Sequence, residues 1–159
     1  MKKLSLILLS TCILGVTGCT TTTYRQEEVQ PVPSERLYSF QEAIPNEAIV
    51  KLTRLANIGG SACYLSFLID DALSTRIDIS EQAVFHLPAG EHKFQVTCDW
   101  NGGGLCGLEG EETCRGRGQI RCVELKAGRI YDFRMGVNSW TKVFRLYTDN
   151  IGKPIGDHK

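Results

Sequence analysis

From Ala48 onward, apolar and polar residues alternate with a period of two. Val50 and Leu52 alternate with Lys51 and Thr53, and Cys63, Leu65, Phe67 and Ile69 with Tyr64 and Ser66. Asp70-Asp71 then marks a turn, and a short segment over 75–79 follows. Ala83, Phe85 and Leu87 alternate with Gln82, Val84 and His86 up to a turn at Pro88-Ala89-Gly90. Phe94, Val96, Cys98 and Trp100 alternate with Lys93, Gln95, Thr97 and Asp99. Beyond a Gly-rich loop come Gln119–Leu125, a turn at 126–128, and Tyr131, Phe133 and Met135 set against Asp132 and Arg134. Lys142–Tyr147 is the last strand candidate. Period two places the apolar set on one face of a half-buried strand, and no segment repeats at helical spacing. Seven or eight short strands with turns every ~8–12 residues predict an all-β fold over 48–149, a single antiparallel β-sandwich or a barrel. The end of the chain, 150–159, holds Gly152, Pro154 and Gly156 and is expected to fray.

The first eighteen residues break this pattern. Lys2 and Lys3 precede an apolar run from Leu4 to Val16, long enough for a secretory signal and too short for a membrane span. The run ends in Val16-Thr17-Gly18-Cys19, which resembles the lipobox of bacterial lipoproteins. The resemblance implies cleavage after residue 18 and acylation of Cys19. It also implies attachment to the cell envelope, and Thr20 in place of an Asp implies sorting to the outer membrane, facing the periplasm. Residues 19–47 are then a lipidated, flexible tether, Thr-rich at its start and Pro-rich around Pro31-Val32-Pro33, into which Leu37, Tyr38 and Phe40 bring the few residues able to dock. The full chain carries 18 basic and 18 acidic residues. Loss of Lys2 and Lys3, with no acid lost, leaves the mature chain slightly acidic, so its charge points neither to nucleic acid nor to anionic lipid.

The order Ala48–Arg54, Gly60-Ser61-Ala62-Cys63, Ile69-Asp70-Asp71, Leu87–His92, the Gly-Gly-Leu-Cys-Gly loop at 103–107 and Lys126–Tyr131 resembles a family of small bacterial lipoproteins with a PEGA-like β-sandwich. The resemblance covers 48–135 and implies the fold; it implies no catalytic residues. It departs from the family pattern at 69–71, where Gly often follows Asp, and in the longer loop after Cys106.

Seven cysteines are present. Cys12 leaves with the signal and Cys19 carries lipid, so five enter an oxidising compartment where disulfides are expected. Cys98, Cys106, Cys114 and Cys122 recur at every eighth position. This spacing suits a hairpin with Cys98–Cys122 at its base and Cys106–Cys114 near its tip, leaving Cys63 free. Against it, that register sets Val96 opposite Glu124, whereas Val123 and Leu125 have the character of inward residues; a bulge would reconcile the two. The alternative pairing is Cys63–Cys106. Thiols at this spacing lack the short knuckles of structural zinc sites, so no metal or other cofactor is expected.

Little in the chain points to catalysis. Gly102, Gly104 and Gly107 spell a dinucleotide fingerprint, but that motif needs a following helix to hold the pyrophosphate. His86 lies on the outward face of its strand, His92 follows a turn and His158 is near the end of the chain. Asp70-Asp71 and Glu111-Glu112 are neighbours in sequence and do not converge as paired carboxylates must. The chain is therefore expected not to be an enzyme. The expected role is a non-catalytic binding or structural lipoprotein that contacts another envelope component, with membrane attachment through its lipid and no nucleic-acid partner. The alternative is an inhibitor or exclusion lipoprotein that blocks an incoming enzyme or phage. The connection from Asp99 to Gly118 is far longer than a hairpin needs and is the candidate binding loop. Trp100, Leu105 and Leu108 would supply apolar contact there, and Arg115 and Arg117 a polar rim.

Overall fold

A computed structural model describes residues 29–55, 63–99, 118–137 and 144–154, together with Glu112. The described residues form nine strands in two packed sheets, an all-β sandwich. The strands are β1 (Gln30–Pro31), β2 (Ala48–Arg54), β3 (Leu65–Ile69), β4 (Ala72–Ile77), β5 (Glu81–Leu87), β6 (Gly90–Cys98), β7 (Gln119–Leu125), β8 (Arg129–Val137) and β9 (Phe144–Pro154). One sheet has the order β1-β5-β2-β8-β9 and the other β4-β3-β6-β7.

The alternation read from the sequence is the alternation of burial. β2 buries Ala48, Val50, Leu52 and Arg54 and leaves the residues between them half-exposed. In β6, His92, Phe94, Val96 and Cys98 point inward. Four phenyl rings join the sheets: Phe85 lies 5.7 Å from Phe67, Phe67 5.4 Å from Phe94, and Phe94 5.4 Å edge-on from Phe133. Such tilted and edge-to-face pairs add to the stabilisation from burying the rings. Pairing is mostly antiparallel, but β2 runs parallel to β8 and β1 parallel to β5.

Turn chemistry closes one end tightly. Asp70 and Asp71 both take positive φ, 51° and 67°, the two-residue hairpin geometry that usually calls for Asn-Gly. Their side chains offset the strain. The Asp70 carboxylate accepts the Lys93 amide at 2.8 Å and faces His92 Nδ1 at 2.7 Å, while Asp71 pairs with the Lys93 ammonium. Burial opposes ionisation of Asp70, but the Lys93 amide and the His92 ring outweigh it and hold the carboxyl below its ordinary value. The β7–β8 turn uses Gly128 at φ 69°, whose amide donates to the Glu47 carbonyl.

Three expectations need correction. First, the described part of the predicted tether, 29–47, belongs to the fold. β1 pairs with β5, Val32 is buried, Leu37 bridges Thr75, and the His86 amide donates to the Phe40 carbonyl at 2.8 Å. Backbone hydrogen bonds and cation contacts hold the segment together with a few apolar residues such as Val32. Arg36 donates to the Arg76 carbonyl and, through both terminal nitrogens, to Glu81, while its guanidinium lies 4.7 Å from the centre of the Tyr64 ring. Second, β9 continues to Pro154, so 150–154 is paired strand rather than frayed end. Third, Cys98–Cys122 is not a bridge. Cys122 sits opposite Lys93, five residues along β6 from Cys98, which is about 16 Å at the usual rise and beyond the ~7 Å reach of a disulfide. The observed register turns Val123 and Leu125 toward the core and leaves Cys122 as a free, exposed thiol. Cys63, expected free, is disulfide-bonded, as is Cys98.

Candidate functional site

Strand direction brings three connections to one end of the sandwich. β2, β6 and β8 finish there, and β3, β7 and β9 begin there. The connections after Leu55, Asp99 and Val137 therefore leave from a common face, opposite the tight turns at 70–71, 88–90 and 126–128. Cross-links between these strand ends confirm the grouping. The Leu55 amide donates to the Met135 carbonyl at 2.8 Å, the Asp99 amide to the Tyr64 carbonyl at 3.2 Å, and the Leu146 amide to Gln119 Oε1 at 2.6 Å.

Two buried charges fix this end. Arg54 is 1% exposed, and one of its terminal nitrogens donates to the carbonyls of Cys63 at 2.6 Å and Ile77 at 2.8 Å. Asp78 stands 3.8 Å away, and the Arg54 carbonyl accepts the Ser80 amide at 3.1 Å. Burial pushes its guanidinium down to about 10, against the pull of Asp78 and Glu81, so it stays charged at neutral pH. Asp99, at the root of the long connection, is 3% exposed and lies 2.8 Å from Arg76 Nε. Arg76 also donates to the Tyr38 hydroxyl and stacks 5.6 Å from that ring. A disulfide-bonded cysteine adjoins each anchor, Cys63 at the Arg54 contact and Cys98 beside Asp99. The root of the long connection is thus tied by an ion pair and a disulfide-bonded cysteine, which lowers the ordering cost of presenting a surface there.

Among the sequence-predicted site residues, Cys19, Trp100, Leu105, Cys106, Leu108, Cys114, Arg115 and Arg117 lie outside the described residues. The structure places the two ends of their loop, Asp99 and Gly118, just beyond the ends of the neighbouring strands β6 and β7. Sequence reasoning missed Arg54 and Arg76 as anchors. An arginine on the buried phase of an alternating strand, which Arg54 occupies, is the signal that could have found the first.

Of the three histidines that could act as bases, His158 lies outside the described residues. His86 faces outward as expected and is half-buried, with Nδ1 3.0 Å from Glu47 Oε2. The Ile44 amide, and after it the His86 ring, hold the Glu47 carboxyl below its ordinary value. His86 also borders a surface depression of about 480 Å³ beneath Leu37, Phe40 and Ile44. His92 is 7% exposed and caught between Asp70 and the Pro88 carbonyl, 3.0 Å from Nε2. The nitrogen that would take a proton from a nucleophile faces that carbonyl instead, so the pair serves the turn. Among the described residues no three His, Cys, Asp or Glu side chains converge as metal ligands. No helix there is long and apolar enough to cross a membrane. No protein-family model matches the chain, and no curated protein matches its sequence.

Proposed function

We propose that the protein is an envelope lipoprotein, held through acylated Cys19, whose sandwich is a non-catalytic binding module for another envelope component. Its membrane is the outer one, on the reading of Thr20, and the PEGA-like lipoproteins remain the family it resembles. The observation that carries the reading is the connection from Asp99 to Gly118. It joins neighbouring, paired strands, a task for which ~2–5 residues suffice, and it rises from a root fixed by Arg76–Asp99 and by disulfide-bonded Cys98. Within this reading Trp100, Leu105 and Leu108 contact the partner, and Arg115 and Arg117 rim the contact. Disulfide-bonded Cys63 and Cys98 hold the root of this connection before binding and so reduce the entropy lost on capture.

The test replaces Leu105 and Leu108 together by Asp and captures partners by cross-linking in intact cells. The variant is expected to keep the wild-type melting temperature and to lose its cross-linked partner. Equal capture by variant and wild type would remove the loop from the binding surface.

A further inference from the structure

The place where the chain enters the fold sets how the domain hangs. β1 runs parallel to β5 with Gln30 opposite Glu81, and the Gln30 amide donates to the Ser80 carbonyl at 2.9 Å. Ser80 in turn donates to the Arg54 carbonyl. Val29, the first described residue, is therefore at the end from which the three long connections leave, and from there the segment runs toward the tight-turn end. Only ten positions separate Val29 from Cys19.

We infer that the sandwich hangs with its loop-bearing end turned toward the bilayer that holds Cys19. The inference rests on the lipid anchor proposed above. A ten-residue coil spans about 17 Å and at full stretch about 35 Å. Strands of seven to nine residues, such as β2 and β6, make the sandwich roughly 25–30 Å long. With the tight-turn end facing the membrane, the tether would have to run back along the whole sandwich, nearly fully extended. With the loop-bearing end facing it, ten residues bridge the remaining gap well short of full stretch. Chain entropy favours the second arrangement, and any partner then reaches that end only in the gap at the membrane surface. Folding of 29–47 onto the sandwich creates this constraint, because a flexible chain from Thr20 to Glu47 would leave the domain free to turn over.

The test uses the full lipidated chain in phospholipid vesicles carrying an acceptor dye on the headgroups. Cys122→Ser removes the free thiol. A donor dye is then attached at Ile79→Cys, near the entry point, or at exposed Ala89→Cys in the β5–β6 turn. Stronger energy transfer from position 79, matching a separation roughly 25 Å shorter than from position 89, is the expected result. Lengthening the tether by a long Gly/Ser insert between Thr23 and Tyr24 should bring the two transfers together. Equal or reversed transfer in a chain that floats with the vesicles overturns the orientation alone, as does a difference that survives the insert. A chain that does not float overturns the anchor and the orientation together.

Discussion

Val32→Ala separates a tether from a structural strap. The side chain is 5% exposed within the main core, its amide donates to the Gln82 carbonyl at 3.0 Å, and prolines stand on both sides of it. Truncation removes two buried carbons, about 1.6 kcal/mol at ~0.8 kcal/mol each. The residual cavity brings the expected loss to about 1.5–2.5 kcal/mol. With a urea dependence near ~2 kcal/mol per molar, the unfolding midpoint should fall by about 1 M at unchanged slope. Val29→Ala is the control, since Val29 is 40% exposed; it should stay within ~0.5 kcal/mol of wild type. The assay is equilibrium urea unfolding of the exported chain with its disulfides intact. If Val32→Ala matches the control, residues 29–47 are not part of the cooperative unit, and both the strap and the orientation built on it fall.

Other expectations can be checked alongside. Cys122 should be the one thiol of the exported, native domain that reacts with maleimide, and Cys122→Ser should leave stability within ~0.5 kcal/mol; a bridged Cys122 in a mass map would contradict the β6–β7 register. Cys98→Ala opens a disulfide and should cost about 2–4 kcal/mol, read as a fall in melting temperature. Asp70 has a folded carboxyl value below its ordinary one of 3.8, so its contribution is complete above that value and fades as pH falls through the lower one. Asp70→Asn should therefore cost about 1 kcal/mol at neutral pH, discounted for its half-exposed side chain, and make the acid limb of a stability–pH curve shallower; an unchanged limb would contradict the role given to the turn. Cys19→Ala should move the protein from membranes to the soluble fraction, and wild type that stays soluble would contradict the anchor.

The sandwich was legible because half-buried strands print their faces into sequence. The inward residues of β2, β5 and β6 are those the alternation selects. What escaped was held by forces that leave no period. The 29–47 segment binds through backbone hydrogen bonds, Arg36 and apolar residues too widely spaced to show a period, such as Val32, and its prolines read as linker. The parallel β2–β8 pair joins strands far apart in the chain, which local pattern cannot reveal. Regular cysteine spacing favoured the wrong hairpin register, whereas the inward character of Val123 and Leu125 already pointed away from it, and the core decided. Of the candidate site, the length of the long connection was visible in sequence. The fixed root beneath it was not: Arg76 is an ordinary letter until the fold places it against Asp99, and the one signal, Arg54 on the buried phase of β2, does not by itself name its partners Ile77 and Cys63.

The central claim is that the protein works by capturing an envelope partner through its loop-bearing end. The most direct measurement places a photo-reactive side chain at position 105 in the long connection, and separately at exposed Glu91 beside the opposite turn, in the lipidated full-length chain. Irradiation of intact cells should give a discrete adduct with a second polypeptide from position 105 and none from position 91. An adduct from position 91 alone, or equal adducts from both, would contradict the account.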